Sequence, residues 1–218
     1  MKDSDITIIV EALTKTLTSK KLPIVSELAE QQNSPFQILI STLLSLRTKD
    51  EVTEVATRRL FALASTPEEM LKLPPDRILA AIYPVGFYRN KTQTIRHICR
   101  ELVERYDSRV PDTIEELLTL KGVGRKTANL VVTLGYGGEG ICVDTHVHRI
   151  SNRLGYVRTK TPDETEYALR VKLPREHWTE YNTLMVAFGR EICRPTSPRC
   201  SDCPICGVCE KVGVTRHR

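Results

Sequence analysis

The stretch LKGVGRKTAN, residues 120–129, places two glycines between two segments whose apolar residues are spaced as in helices. An amphipathic helix is predicted over residues 113–120, and a second helix is predicted to begin near Arg125. Glycine permits a positive φ and a close backbone approach, so N–H groups around Gly122 and Gly124 can converge on an anion. The following helix adds its own unpaired N–H groups and its positive dipole end. The stretch predicts a Gly-x-Gly turn suited to phosphate, although an ordinary turn between helices also explains the glycines.

The rest of the chain repeats the helical pattern. Apolar residues recur at helical spacing over residues 6–17, 36–46, 52–63, 95–106, 113–120 and 181–188. No strand pair with alternating apolar residues flanks an Asn-Gly or Asp-Gly turn. Helix-start signals are Ser34 before Pro35, Thr66 before Pro67 with Glu69, Asp112 with Glu115, and Thr161 before Pro162 with Glu164. The sequence predicts an all-α protein of roughly nine to eleven helices.

Length and composition exclude several classes of protein. With 218 residues, 40% hydrophobic and 27% charged, the chain can bury a core as one large or two small domains. No apolar run approaches the roughly 20 residues that span a bilayer. Charges throughout residues 1–21 argue against a signal peptide. We expect a monomeric, soluble protein of the cytoplasm, associated with the nucleoid and without a membrane partner.

Positive charge is concentrated in a few segments. Lysine and arginine outnumber the acidic residues by 32 to 27, a net charge of only +5. Residues 86–106 hold five basic residues against two glutamates, and residues 121–126 and 211–218 hold three basic residues each without an acid. A basic face on a nearly neutral protein favours a polyanionic partner, whereas a solvated charged surface is the ordinary alternative.

Five of the seven cysteines lie within 17 residues, at positions 193, 200, 203, 206 and 209. Without a signal peptide, a disulfide framework is disfavoured and a metal site is favoured. Four thiolates suit either zinc or an iron–sulfur cluster, and the spacing alone leaves both open.

Three motifs in this order resemble the endonuclease III family of DNA glycosylases. Residues 120–129 resemble its helix-hairpin-helix, residues 143–149 (VDTHVHR) resemble its second signature, and the cysteine spacing is the third match. The similarity runs from about Ser34 to Cys209. It implies a six-helix barrel domain over residues 28–138. It also implies a discontinuous domain, residues 1–27 and 139–218, with a [4Fe-4S] cluster loop at 193–209.

The resemblance implies catalytic roles for Lys126 and Asp144. Lysine, with an unperturbed pKa of about 10.4, offers almost no free amine at neutral pH. A nucleophilic lysine therefore needs special surroundings, which a helix first turn and the charges of Lys121 and Arg125 can supply. The family's lysine attacks the sugar C1′ and forms a Schiff base; the ordinary alternative is a surface lysine.

Asp144 is a good N-cap, and the resemblance adds a carboxylate that stabilises cationic character on the sugar. His146 is expected near the same pocket, and His148 is expected to be structural. The resemblance also assigns the cluster to Cys193, Cys200, Cys203 and Cys209, with Cys206 as a spare thiol.

The resemblance also implies roles for residues in two further segments. Arg47 falls in the family's loop that fills the gap left by a flipped base, where better-known members often have glutamine. Phe87 falls where an apolar residue wedges the opposite strand, and an aromatic residue between basic ones suits stacking on unpaired bases. The ordinary alternatives are a helix-end cation for Arg47 and a core residue for Phe87.

The sequence thus predicts a base-excision repair glycosylase with lyase activity, acting on damaged, oxidised pyrimidines or abasic sites in double-stranded DNA. One alternative is a monofunctional G·T or G·U mismatch glycosylase, whose relatives lack the lysine at position 126. Another is a non-enzymatic DNA-binding iron–sulfur protein, which has no need for both Lys126 and Asp144.

Overall fold

The computed structural model describes residues 5–17 and 34–218. In these residues it contains eleven α-helices and no β-strand, so the all-α prediction is confirmed. The helices are α1 (Asp5–Leu17), α2 (Pro35–Ser45), α3 (Asp50–Phe61), α4 (Pro67–Lys72), α5 (Pro75–Ile82), α6 (Tyr88–Arg105), α7 (Ile114–Leu117), α8 (Arg125–Leu130), α9 (Thr145–Leu154), α10 (Pro162–Lys172) and α11 (Trp178–Glu191). A π-helical turn, Val131–Gly135, continues α8, and a 3-10 turn, Arg175–His177, precedes α11.

The chain divides into two compact units with a boundary between Gly138 and Glu139. In their described parts, the hairpin unit comprises residues 34–138, and the split unit comprises residues 5–17 and 139–218. The limit expected between residues 27 and 28 lies outside the described residues. No helix in the described ranges is long and apolar enough to cross a membrane.

The hairpin unit is built around α2. Nearly every side chain from Phe36 to Leu44 is buried, and α2 packs against α3, α6, α8 and the π-helical turn. Because α2 is buried on all sides, its carboxyl end emerges at a fixed point of the core. The buried residues Leu117, Leu120 and Val123 join the same core and anchor the turn that leads into α8.

In the split unit, α9 packs against α10 and α11, and α11 also packs against α1. The apolar face of α1, with Ile6, Ile9 and Leu13, is fully buried, and α1 packs against α11. Inside this core, the hydroxyls of Ser151 and Tyr181 lie 3.1 Å apart in a hydrogen bond. The amphipathic α9 is therefore held along its length, and its two ends are left for the features described below.

Three predicted helix starts are confirmed. The Ser34 hydroxyl accepts from the Gln37 N–H, and the Gln37 side chain accepts from the Ser34 N–H, which completes a capping box. The hydroxyls of Thr66 and Thr161 each accept from the N–H three residues later, at 3.2 Å. Each of these caps precedes a proline at the first helical position.

The predicted cap at Asp112 with Glu115 is wrong by one residue. Thr113 is the N-cap of α7: its hydroxyl accepts from the Glu116 N–H at 3.3 Å and donates to the Glu116 carboxylate at 2.9 Å. Two overlapping capping patterns exist here, starting at 112 and at 113. The structure uses the second pattern, and Ile114 and Leu117 of the resulting helix lie in the core.

This correction predicts different costs for two neighbouring substitutions. Thr113→Ala should lower the free energy of unfolding by about 1 kcal/mol, because it removes the hydroxyl that caps α7. Asp112→Ala should change it by less than about 0.5 kcal/mol, as is usual for a surface substitution. Urea unfolding of both variants measures the difference; a larger loss for Asp112→Ala contradicts the cap placement.

Candidate active site

The turn between α7 and α8 depends on glycine at position 122. Gly122 has φ of +94°, and a Cβ built on it would lie 2.6 Å from the Thr94 Cγ2 of α6. Both the backbone conformation and the close approach therefore exclude a side chain. The turn is closed by the Val123 N–H, which donates to the Leu120 carbonyl at 3.0 Å.

Gly124 has a different role from Gly122. It is the N-cap of α8 with an extended φ of −101°, so of the two glycines in this turn Gly122 alone uses the positive φ that glycine permits. A Cβ on Gly124 would meet no atom of the described residues within 4 Å, so their packing does not require glycine there. Within the described ranges, the N–H groups of Gly124 and Lys126 have no hydrogen-bond acceptor. The turn thus presents free donors beside an open surface.

Lys126 lies in the first turn of α8, as expected. Residues 127–129 are buried and fix this helix against the core, whereas Lys126 is half-buried. Among the residues described, the Lys126 ammonium has no hydrogen-bond or ion-pair partner. Lys121 is exposed and Arg125 is half-buried, so two further basic side chains flank the turn. An amine held this way is positioned to bind or react rather than to support the fold.

Asp144 is the N-cap of α9, which confirms its ordinary interpretation. Its Oδ1 accepts from the N–H groups of His146 at 2.8 Å and Val147 at 2.9 Å. No hydrogen bond in the described part of the chain uses its Oδ2. The cap therefore fixes the carboxylate through one oxygen and leaves the other available for chemistry.

Arg149 is a residue that sequence reasoning missed, although it ends the VDTHVHR motif. Its Nη2 contacts the His146 Nδ1 at 3.2 Å and donates to the carbonyls of Gly189 at 3.4 Å and Cys193 at 2.9 Å. Burial lowers the pKa of Arg149. A Cβ at position 189 would lie 2.3 Å from the His146 Nδ1, so glycine is required for this contact.

His148 is part of a hydrogen-bonded polar network. Its Nδ1 lies 2.6 Å from the Thr165 hydroxyl, which in turn lies 2.5 Å from the Thr159 hydroxyl. Asn152 joins the same group through the His148 carbonyl at 2.8 Å. These contacts support the structural role that the sequence predicts for His148.

The cysteine segment folds over the carboxyl end of α9. Glu210 and Val212 donate N–H groups to the carbonyls of Leu154 and Arg153, at 3.3 and 3.0 Å. Gly155 ends the helix with a left-handed φ of +77°, and a Cβ there would collide with the Glu210 carboxylate. The end of α9 is therefore built to receive this segment.

All five clustered cysteines line one cavity. Its walls also include apolar residues such as Ile150, Leu154 and Phe188, and the basic residues Arg153, Arg199 and Lys211. Arg153 approaches the Cys193 sulfur at 3.5 Å, and the Lys211 N–H donates to the Cys209 sulfur at 3.4 Å. In residues 5–17 and 34–218, no three or more His, Cys, Asp or Glu side chains are arranged to hold a metal ion.

Although these sulfurs do not converge on one ion position in the described residues, the types of residue that line the cavity suit a metal centre with several thiolates. Burial raises the pKa of Cys203 to about 11 and also raises the pKa values of Cys200 and Cys209. A set of thiolates here therefore needs compensating positive charge, which the three basic side chains and the N–H donors to sulfur can provide. Soft donors, apolar walls and nearby cations are the surroundings that such a centre requires.

Arg47 and Phe87 are brought together by the fold of the hairpin unit. The Arg47 guanidinium carbon lies 5.5 Å from the centre of the Phe87 ring. Phe87 is 60% exposed, so the interpretation of Phe87 as a core residue is wrong. Both residues have a left-handed backbone, with φ of 52° and 58°.

Comparison with known proteins places this geometry in a family. Residues 40–175, more than half of the chain, match the HhH-GPD superfamily of base excision DNA repair proteins. The chain therefore belongs to that superfamily, and the family resemblance seen in the sequence is confirmed.

The relatives narrow the class further. The chain is 51% identical over 180 residues to endonuclease III of Thermotoga maritima, with 83% of this chain and 84% of that protein covered. Its structure is similar to that of a non-covalent endonuclease III–DNA complex, with TM-score 0.86, 34% identity, and 97% and 96% of the two chains covered. A trapped endonuclease III–DNA covalent intermediate matches with TM-score 0.84 and 33% identity, covering 97% of each chain. The predicted all-α helix-hairpin-helix glycosylase fold is confirmed.

The two glycines of the turn should respond differently to substitution. Gly122→Ala should destabilise the protein by at least about 1 kcal/mol, because alanine is strained at this φ and its methyl group meets Thr94. Gly124→Ser should change stability by less than about 0.5 kcal/mol, because serine is a good N-cap and its side chain enters open space. Urea unfolding measures both effects. Equal costs at the two positions argue against the assigned turn geometry.

Proposed function

We propose that this chain is a DNA glycosylase with AP lyase activity that removes damaged, oxidised pyrimidines from duplex DNA. The observation that carries the proposal is Lys126, an amine without a partner among the described residues, in the first turn of the helix that follows the Gly-x-Gly turn. The trapped covalent intermediate of a relative with 33% identity supports a covalent step. A monofunctional mismatch glycosylase has no use for an amine in this place.

The reaction follows from an amine nucleophile. The damaged nucleotide first leaves the base stack, because its glycosidic bond is inaccessible inside the duplex. The free amine of Lys126 attacks the sugar C1′, the bond from C1′ to the base breaks, and the base leaves with a proton. A proton moves from nitrogen to the ring oxygen O4′, the C1′–O4′ bond breaks, and a protonated Schiff base forms. Removal of a proton from C2′ then breaks the C3′–O bond, which cuts the strand on the 3′ side.

Asp144 supports these charge changes. Cationic character develops on the sugar as the base leaves, and a fixed carboxylate stabilises it. The cap through Oδ1 holds the carboxylate rigidly, and Oδ2 remains able to accept or deliver a proton.

The helix-hairpin-helix holds the DNA backbone. The unpaired N–H groups of Gly124 and Lys126 and the flanking Lys121 and Arg125 suit a phosphate, and such contacts do not depend on base sequence. The packing of the described residues does not require glycine at position 124, but the close approach of a phosphate to this open surface would. Arg47 fills the gap left by the damaged nucleotide, and the exposed Phe87 side chain wedges into the opposite strand.

We assign a [4Fe-4S] cluster to the cysteine cavity, held by Cys193, Cys200, Cys203 and Cys209, with Cys206 as a spare thiol. When bound, the cluster supplies four iron–thiolate bonds that cross-link the segment at the end of α9. The bound cluster would thus also hold residues 211–218, which carry three basic side chains, to the split unit, which is the iron–sulfur domain of this proposal.

Lys126→Gln tests the nucleophile. It removes the amine, so borohydride trapping and strand cleavage should both vanish on a duplex with a damaged pyrimidine, while DNA binding persists. Asp144→Asn should retain binding and slow base release by about 10² to 10⁴-fold, because it loses the charge and keeps much of the cap. The matched control Lys121→Gln should weaken binding and leave trapping intact at saturating enzyme. Wild-type cleavage by Lys126→Gln contradicts the mechanism.

Cysteine variants test the ligand set. Cys200→Ser should lose iron and destabilise the carboxyl-terminal segment, whereas Cys206→Ser should keep its iron. Cys206→Ser should also keep the broad iron–thiolate absorption band that we expect at roughly 400 nm. Metal analysis of anaerobically purified, iron-replete protein measures both. Zinc in place of iron contradicts the cluster, and iron loss in Cys206→Ser contradicts the assigned ligands.

A further inference from the structure

Lys91 ties together two loops of the hairpin unit that are distant in sequence. It lies in the first turn of α6, and its Nζ donates to the carbonyls of Leu44 at 2.8 Å and Leu46 at 2.6 Å. The same Nζ lies 3.3 Å from the Thr48 hydroxyl. An ammonium has three donors, and here all three have acceptors on the segment that leaves α2.

Thr48 and Gly86 form a second tie between the same loops. The Gly86 N–H donates to the Thr48 hydroxyl at 3.1 Å, so this oxygen accepts from both Gly86 and Lys91. A Cβ on Gly86 would lie 2.4 Å from the Arg47 carbonyl oxygen, a distance that no side chain permits. Residues 44–48 and 86–91 are therefore one hydrogen-bonded element, here called the loop pair.

The loop pair holds two residues in conformations that they do not prefer. Arg47 and Phe87 both have left-handed backbones, which persist in residues other than glycine only where the surroundings enforce them. Their side chains stack at the surface, with the guanidinium 5.5 Å from the centre of the ring. Strain of this kind, shared by two exposed and contacting residues, is typical of functional sites.

The charge of Lys91 is matched by these oxygen acceptors alone. No carboxylate in the described part of the chain forms an ion pair with it, and burial lowers its pKa to about 8. Lys91 is thus still mostly an ammonium at neutral pH. Placing an ammonium in a half-buried position without an acid costs stability. The stability of the core alone therefore does not explain why a lysine stands at position 91.

We propose that Lys91 is a positioning residue for base removal from duplex DNA. It presents Arg47 and Phe87 as one preformed element, so that both side chains enter the duplex together and no loop ordering is needed on binding. Preorganisation of this kind lowers the cost of reaching the reactive complex. The inference rests on the proposed function, and specifically on Arg47 and Phe87 entering the DNA.

The role predicts a difference between two substrates. A damaged base in a duplex leaves the stack only if the gap is filled, so its release depends on the loop pair. A single-stranded oligonucleotide with an abasic site has no stack to open and no base to remove. Attack of Lys126 on that substrate should be independent of Lys91.

The test compares Lys91→Met, which keeps the length and removes the donors, with Lys72→Met, an exposed lysine of the same unit. On a thymine glycol duplex, Lys91→Met should slow single-turnover base release by about 10²-fold, the cost of a misplacement of about 1 Å. Borohydride trapping on a single-stranded abasic oligonucleotide should stay within about twofold of wild type. Lys72→Met should match wild type on both substrates.

A double-mutant cycle separates positioning from general support of the fold. If Lys91 acts through Phe87, Phe87→Ala should slow base release strongly in the wild type and by less than about twofold in Lys91→Met. Should Lys91→Met fail to fold, Thr48→Val removes the shared acceptor with little change in shape and should give the same selective loss. Equal losses on both substrates, no loss on the duplex, or multiplicative effects of the two substitutions overturn the inference.

The wild-type reactions keep the two proposals distinguishable. If wild-type protein releases thymine glycol and is trapped on abasic DNA while Lys91→Met behaves like wild type, the positioning inference alone fails. If wild-type protein does neither, the proposed function fails and the inference falls with it.

Discussion

The close approach of Gly122 to Thr94 is the constraint on which the placement of Lys126 depends. A residue with no side chain and a positive φ lets the chain reverse against α6. The buried residues 127–129 then fix α8, so Lys126 is displayed at its first turn without a partner in the described residues. Residues 127–129 fix the backbone here, and the Lys126 ammonium itself forms no hydrogen bond or ion pair among the described residues. The contacts that set its position therefore do not involve the amine, as its proposed role as nucleophile requires.

In the split unit, helix α9 positions a different feature at each of its two ends. Its amino end is capped by Asp144 through a single oxygen, and its carboxyl end receives the cysteine segment through the carbonyls of Arg153 and Leu154. Arg149, halfway along, contacts both His146 and the carbonyl of Cys193. One helix therefore sets the position of a carboxylate and of the cavity lined by thiols.

Features that depend on neighbouring residues could be predicted from the sequence. The caps at Ser34, Thr66, Thr161 and Asp144 follow from residues within three positions of the helix start, and all were located correctly. The turn at Gly122 and the family were recognisable because the motifs are local and their order is specific. The predicted start of α7 is wrong by one residue because two capping patterns overlap in the sequence, and only the structure shows that Thr113 forms the cap.

Features that depend on distant residues could not be predicted. The stacking of Arg47 on Phe87, the three bonds of Lys91 and the contacts of Arg149 each join positions about 40 residues apart. A single sequence carries no pattern that pairs such positions. The open surface at Gly124 could not be predicted either, because the sequence does not show whether the fold or a ligand requires a glycine at a turn.

The most direct test of the central claim is to identify the amino acid that becomes joined to DNA. Wild-type protein is reduced with borohydride during turnover on a damaged-pyrimidine duplex, digested with a protease, and the peptide that carries the nucleotide is sequenced by mass spectrometry. We predict a single adduct on the side-chain nitrogen of Lys126. An adduct on another lysine or on the amino terminus, with Lys126 unmodified, contradicts it.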